Sequence, residues 1–369
     1  MRVWFAGGGT GGHLNPGLAI ARSLVRMEPA VSPFFIGARR GIERELLPKE
    51  PFPFELLDLH PLYRSRPWEN WKTLRGAVSA WSRLSRIAKA ERPLLVLGTG
   101  GYAAGLAQAY AVTHGILLAQ QVSDSYPGLT VRAFSRFARQ LYLGYPEAAG
   151  KLSAAPSALI DTGCPIDPPP AVRPERAAAR AAWGFPSEGG SVILIFGGSQ
   201  GARSLNEAVA AWVKAGIPPN AFVIWGTGRT QHADFASLES DRVKVRPYLA
   251  PIANAYAASD LALTRAGAMT TSELCAWGIP MVLVPLPTAA ADHQTANARA
   301  LAAAGAAVHL PQRELVAGRL GYALGDLLAR PEAMRSLAEH AAARARPNAA
   351  DDIARRVLAL LREESAALS

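Results

Sequence analysis

The sequence predicts an α/β protein made of two doubly wound domains, each built on a parallel sheet. Three observations predict it. Short apolar runs alternate with helix-length segments along most of the chain. The alternation is interrupted by DTGCPIDPPPAVRPE (161–175), whose five prolines make a poor helix or strand and a good linker. A Gly-rich turn follows the leading strand on either side of that interruption. At roughly 150 residues per domain, 369 residues suffice for two cores.

In the first half, RVWFA (2–6) reads as a buried strand, followed by a Gly-rich turn and a helix from about Pro16 to Met27. PFFIG (33–37), LLVLG (94–98), GILLAQ (115–120) and LYLG (141–144) read as further buried strands. After the linker come SVILIFGG (191–198), a helix near 203–214, AFVIWG (221–226), VKVRPYL (243–249), LALTR (261–265) and MVLVPL (281–286). The tail from about Pro331 is rich in Ala, Arg and Leu and helical, with Pro347 breaking it. The expected domains are therefore 1–163 and 164–346, with a cleft between them and a last helix, about 347–369, folding back onto the first.

Half of the residues are hydrophobic (50%) and only 18% are charged, which excludes a disordered chain. Two cysteines, Cys164 and Cys275, exclude a disulfide scaffold and any multi-cysteine metal site. MRVWFAGGGTGG enters a strand and turn at once, without the apolar stretch of a signal peptide. No apolar run reaches the roughly 20 residues that span a bilayer, so a soluble, cytoplasmic protein is expected. Residues 1–164 carry 19 Lys and Arg against 11 Asp and Glu; the remainder carries 20 against 18. The positive field belongs to the first half and implies an anionic surface or ligand there.

Four turns carry chemistry. Gly7-Gly8-Gly9-Thr10-Gly11-Gly12-His13 lies between the first strand and first helix, where glycines let a ligand approach and a helix N-terminus offers amides to an anion. It also fits the dinucleotide fingerprint. The second strand ends in Gly37-Ala38-Arg39-Arg40 rather than in an acid, which disfavours NAD and leaves NADP as an alternative. Gly197-Gly198-Ser199-Gln200-Gly201-Ala202-Arg203 holds the equivalent place in the second half, and Gly98-Thr99-Gly100-Gly101-Tyr102 ends another strand. The fourth is Arg265-Ala266-Gly267-Ala268-Met269-Thr270-Thr271-Ser272-Glu273, in which Glu273 falls on the first turns of a helix and could serve only its dipole. Asp292-His293-Gln294-Thr295-Ala296-Asn297 adds a polar patch after an apolar strand.

The set GGGTGGHLNPGLAIA (7–21), GTGGY (98–102), GGSQGARSLN (197–206), RAGAMTTSE (265–273) and DHQTAN (292–297) resembles the MurG family. These are the UDP-N-acetylglucosamine:undecaprenyl-pyrophosphoryl-muramoyl-pentapeptide glucosaminyltransferases of peptidoglycan synthesis. The resemblance spans almost the whole chain, in order and spacing. It implies a GT-B glycosyltransferase of two Rossmann-like domains, the nucleotide sugar held mainly by the second. By position, Glu273 would accept from both ribose hydroxyls and the Leu249 backbone would meet the uracil. Ser199 and the turn Gly267, Ala268, Met269 and Thr270 would meet the diphosphate, and Gln294 the sugar hydroxyls. Thr10, Gly11 and Gly12 would face the reaction centre. Helix N-terminal amides bind diphosphate without a metal, and the chain has no D-x-D motif, so neither a metal nor a tightly bound cofactor is expected.

A family of this type transfers its sugar in one inverting displacement, and the attacking hydroxyl needs a base. His13 is the first candidate. Two departures bear on the acceptor. The family's His-Glu-Gln-Asn reads Gln121-Val122-Ser123-Asp124, so Asp124 is an acceptor-only carboxylate and a second candidate base. The family's Gly-Asn-Pro-Val-Arg reads Gly163-Cys164-Pro165-Ile166-Asp167, which replaces a diphosphate partner by an acid.

From His60 to Arg92 the chain carries Arg64, Arg66, Lys72, Arg75, Arg83, Arg86, Lys89 and Arg92 against Glu69 and Glu91. Trp68, Trp71 and Trp81 are interleaved with Leu74, Val78 and Leu84, a pattern that reads as an interfacial membrane surface. An ordinary amphipathic helix packed on its own domain is the plain alternative, and no nucleic-acid motif accompanies the charge. The expected partners are a nucleotide sugar, a polyprenyl-pyrophosphate-linked acceptor and the anionic cytoplasmic face of a bacterial membrane. The competing readings are a related transferase with another acceptor, an NADP-dependent oxidoreductase, and a non-catalytic nucleotide-sugar binder.

Overall fold

A computed structural model describes residues 1–60, 68, 70–198 and 201–368. The chain forms two compact units, Met1–Ile166 with Asn348–Ser369, and Asp167–Pro347. The division thus falls a few residues beyond Gly163, at the acidic end of the Cys-Pro-Ile-Asp segment.

The first unit contains β1 (Arg2–Gly7), α1 (Gly11–Met27), β2 (Ser32–Ala38), α2 (Glu43–Leu46), β3 (Phe54–Leu57) and α3 (Asn70–Glu91). It continues with β4 (Leu95–Gly100), α4 (Ala104–Thr113), β5 (Leu117–Val122), α5 (Leu129–Phe134), β6 (Gln140–Leu143) and β7 (Leu159–Asp161). Its seven strands run in the order β3-β2-β1-β4-β5-β6-β7, every pair parallel. Because side chains alternate along a strand, β1 sends Trp4 and Ala6 into one core and Val3 and Phe5 into another, and both cores are sealed.

The second unit contains α6 (Arg176–Ala182), β8 (Ser191–Phe196), α7 (Arg203–Ala215), β9 (Ala221–Gly226), α8 (His232–Phe235), β10 (Val243–Arg246) and α9 (Ile252–Ala258). Next come β11 (Leu261–Thr264), α10 (Ala268–Trp277), β12 (Met281–Leu283), α11 (His293–Ala303), β13 (Ala307–His309), α12 (Ala317–Leu328) and α13 (Pro331–Ala343). Its parallel sheet has the order β10-β9-β8-β11-β12-β13. After Pro347 the last helix, α14 (Ala349–Leu368), returns to the first unit. There it buries Ile353, Val357 and Leu361 in the core shared with Leu14, Leu18 and Phe5. No helix among the described residues is long and apolar enough to cross a membrane.

Both sheets reverse their winding once: between β1 and β4 in the first, and between β8 and β11 in the second. Open α/β sheets bind ligands outside the carboxyl ends of the strands at that point. The four Gly-containing turns are the connections that follow β1, β4, β8 and β11. Strands that sequence reading misses, β3, β7 and β13, are three of the four sheet edges, short and incompletely buried. α1 starts at Gly11 rather than near Pro16. Two glycines carry the poorest helix propensity after proline, which is why the first turn reads as loop.

Candidate functional site

The first-domain turn is organised by a residue outside it. Glu43, on α2, is completely buried. Its Oε2 accepts from the Gly9 amide at 2.9 Å and its Oε1 from the Ala38 amide at 3.0 Å. The carboxylate also fills the space that a Cβ on Gly8 would need, and Gly9 adopts φ +86°, so neither position admits a side chain. A dinucleotide site would point these amides at a pyrophosphate. Here Gly9 already serves an internal anion, and Arg39 spends its Nε on the Leu56 carbonyl. Both contacts disfavour the NADP alternative.

α1 then begins at Gly11 with exposed Thr10 as N-cap, without a side-chain cap and without an acid in its first turn. Gly11, Gly12 and His13 form that turn. The half-buried His13 ring lies against the turn after β4: a Cβ on Gly100 would sit 2.9 Å from its Nδ1. Asp124 lies beyond β5, the neighbouring strand to β4, and is half-buried. Beside it Ser123 donates to Gln121 Oε1 at 2.9 Å, and the Cys164 thiol points at the Ser123 carbonyl at 3.3 Å.

In the second domain, Gly267 is the N-cap of α10, again without a side-chain cap, and open space lies where its Cβ would be. Ala268 is buried; Met269 and Thr270 are half-buried on the first turn. Glu273 stands on the second turn, beyond the reach of the helix-end dipole, so dipole complementation does not explain it. It accepts from the Tyr256 hydroxyl at 2.6 Å through Oε2. Burial raises its carboxyl above the ordinary range, the Tyr256 bond opposes this, and the Asp167 charge adds to the rise. The acid that replaces the family's Arg therefore stands within electrostatic reach of Glu273.

The turn itself is pinned from behind. Arg265 is buried and donates to the Val284 and Pro285 carbonyls, both at 3.1 Å, and to Ser204 on α7 at 3.3 Å. Its Nε has no partner among the described residues, and burial lowers the guanidinium pKa. Buried Asn297, on α11, donates to the Ala266 carbonyl at 3.1 Å. Asn206 links α7 to the turn after β9, donating to the Thr227 carbonyl at 2.8 Å while accepting from Trp225 at 3.0 Å. Gln294 accepts from the Leu286 amide at 3.0 Å, which leaves its NH₂ as donor. Leu249 is buried against Gly226, whereas Tyr248 beside it is 49% exposed with the Arg229 guanidinium 4.9 Å over its ring. Ser199 lies outside the described residues.

Glu43, Tyr256, Tyr248 and Arg265 are the groups that sequence reasoning missed or left without a role. Glu43 and Tyr256 lie outside every turn motif and act through the fold alone. Arg265 opens its motif, and a charged residue ending a buried strand was a usable signal.

On α3, Trp71, Arg75, Val78, Arg86 and Lys89 recur at helical spacing and are all exposed, as is Trp68 before the helix. Two members of the expected surface do not belong to it. Trp81 packs on Tyr110 and His114 at ring distances of 5.2 and 5.9 Å. Arg83 is exposed, but its Nε and Nη2 both donate to the Glu55 carboxylate at 3.1 Å, so its charge is matched. Arg64 and Arg66 lie outside the described residues, as do the side chains of Lys72 and Leu74.

Residues 3–143 match the glycosyltransferase family 28 N-terminal domain, and residues 192–356 match the family 28 C-terminal domain. A protein from Moorella thermoacetica is 37% identical, covering 97% of this chain and 98% of its own length. It is named UDP-N-acetylglucosamine–N-acetylmuramyl-(pentapeptide) pyrophosphoryl-undecaprenol N-acetylglucosamine transferase. A protein from Salinibacter ruber with the same name is also 37% identical, over 97% of this chain and 96% of its own. Among solved structures, Acinetobacter baumannii MurG superposes with a TM-score of 0.76 at 28% identity, covering 97% of this chain and 99% of that one. The glycotransferase of kitacinnamycin, at 17% identity and a TM-score of 0.70 over 98% of each chain, shares the fold.

Proposed function

Because the chain belongs to the glycosyltransferase 28 family through both its N-terminal and its C-terminal domain, we propose that it transfers N-acetylglucosamine from UDP-N-acetylglucosamine to a lipid-linked muramoyl-pentapeptide, inverting the anomeric centre. The observation that carries this reading is the second switch point. There an uncapped helix N-terminus and, one turn further on, a carboxylate stand on the same short helix.

A nucleoside diphosphate needs those two chemistries. The α10 amides at Ala268, Met269 and Thr270 meet the diphosphate, whose charge grows as the sugar departs, so they bind the transition state more strongly than the ground state. Glu273 accepts from the ribose hydroxyls, Leu249 and Tyr248 border the base, and the Gln294 amide donates to the sugar. The first domain supplies the acceptor side. The acceptor hydroxyl attacks the anomeric carbon, the bond to the diphosphate oxygen breaks, and UDP leaves. His13, or Asp124, takes the hydroxyl proton. Thr10, Gly11 and Gly12 line the same first turn. No step in this scheme calls for a tightly bound cofactor.

A lipid-linked acceptor requires access to a membrane surface. The exposed face of α3 offers Trp71 and Val78 as apolar contacts, flanked by Arg75, Arg86 and Lys89, each worth about 1 kcal/mol near an anionic surface. This supports a peripheral enzyme on the cytoplasmic side. The test is a transfer assay with labelled UDP-N-acetylglucosamine and two acceptors, one water-soluble and one long-chain in anionic vesicles. Wild type should use both. Arg75→Glu/Arg86→Glu/Lys89→Glu should keep the soluble reaction and lose the vesicle reaction together with vesicle binding. No transfer to either acceptor, despite UDP binding, would assign the chain a different acceptor.

A further inference from the structure

Glu273 is held by a side chain that belongs to no motif of the donor site. Tyr256 lies on α9 and is 3% exposed, its ring packed between Phe196 and Trp277 at 6.4 and 5.6 Å. Trp277 is covered in turn by the Arg173 guanidinium at 5.0 Å, which also donates to the Ala276 carbonyl at 3.0 Å. A phenylalanine would fill the same apolar slot. What tyrosine adds is one hydroxyl, costly to bury unless bonded, and its bond is the 2.6 Å contact to Glu273 Oε2. Burial and the neighbouring carboxylate push the phenol pKa far up, so Tyr256 keeps its proton and is a hydrogen-bond donor at every working pH. Oε1 of Glu273 has no hydrogen bond to any described residue.

We propose that Tyr256 is a positioning residue for donor binding: its hydroxyl holds Oε2, fixes the Glu273 carboxylate in one rotamer and leaves Oε1 for the vicinal diol of the donor's ribose. This rests on Glu273 meeting the donor. An unrestrained glutamate would lose rotamer freedom each time UDP binds, whereas the clamp makes that loss at folding. The bond also favours the ionised carboxylate against the burial and the Asp167 charge that disfavour it. The groups acting on the pair are Asp167 from the linker and Tyr248 from the turn after β10.

The experiment is calorimetric titration with UDP across a pH series, on wild type, Tyr256→Phe, Glu273→Gln and the double variant. Tyr256→Phe keeps the ring packing and should weaken UDP about tenfold near neutral pH. The pH below which binding fails should move upward, since the carboxylate has lost a donor. A purely structural role would weaken binding without moving that limb. In the Glu273→Gln background the Phe substitution should add nothing further. Should Tyr256→Phe not fold, 3-fluorotyrosine at 256, a stronger donor, should move the limb downward. If Glu273→Gln weakens UDP while Tyr256→Phe matches wild type in affinity and limb, the clamp is refuted and the donor site stands. If Glu273→Gln binds UDP like wild type, the donor-site assignment itself fails and the clamp with it.

Discussion

The turn after β1 and the turn after β11 have the same construction: a buried parallel strand, glycine at the switch point (several in the first, Gly267 alone in the second), and an uncapped helix. They differ in what occupies their amides. In the first domain the Gly9 N–H is taken by Glu43, a buried carboxylate of the protein itself. In the second, no group crowds the Cβ position of Gly267, and the carboxylate, Glu273, stands a turn further along the helix, bound to a tyrosine instead of to the loop. One loop is shaped by an anion it already holds; the other is left for an anion that arrives. The same Gly-rich pattern therefore serves as scaffold for a reacting residue in one place and as a ligand cradle in the other.

Five substitutions test that contrast. The largest effect is expected for His13→Ala, which should lower kcat by about 10²–10⁴-fold with UDP affinity unchanged. A fully active variant would pass the role to Asp124, where Asp124→Asn should then abolish turnover. Glu43→Ala should follow, costing about 3 kcal/mol of stability in urea unfolding, since two buried amides lose a charged acceptor and a void opens. A loss below about 1 kcal/mol would mean that the first loop keeps its shape unaided. Glu273→Ala reverses the pattern. It should weaken UDP by about 2–3 kcal/mol by calorimetry, with a smaller loss of stability than Glu43→Ala, about 1–2 kcal/mol, because the buried Tyr256 hydroxyl loses its acceptor.

The smallest effect concerns pH. The folded-state pKa of Glu273 is raised, so the carboxylate that the ribose needs is present above that raised value and lost as pH falls through it. For stability the sign is opposite: the unfolded chain ionises first, so stability declines as pH climbs from the ordinary carboxylate range to the raised value. Asp167→Asn removes a like charge and should move the UDP-binding limb to lower pH, improving affinity on the acid limb and leaving it unchanged on the alkaline plateau. Asp167 is exposed, so added salt should shrink the difference. An unchanged limb at low salt would remove Asp167 from the site.

How far these features were legible follows from how local they are. The central strands announce themselves because both faces are buried and their residues are continuously apolar, as in SVILIF and LVLG. Three of the four edge strands do not, because FELL, LID and AVH are too short to separate from loop, whereas the edge strand β10 shows through the alternation in VKVR. Gly267 and Glu273 could be read because the turn and the helix face lie within one short segment. Glu43 and Tyr256 could not: each acts on a group 34 or 17 residues away through a side-chain bond that only folding creates. Trp81 and Arg83 were misassigned for a related reason, since helical spacing does not show that Tyr110 and Glu55 lie opposite them.

The return of α14 carries a consequence for the order in which the molecule is made. Ile353, Val357 and Leu361 complete the core of a domain whose strands were synthesised about two hundred to three hundred and fifty residues earlier, and Asp351 bonds Ser23 and Arg26 on α1. During translation the second domain has its whole sequence, up to Pro347, before the first has its last helix. Until then the nascent first domain lacks the apolar residues that α14 adds to that core. The domain that leaves the ribosome first is the one finished last, and a stop codon placed after Pro347 would strip one face of the N-terminal half while sparing every residue of the donor site.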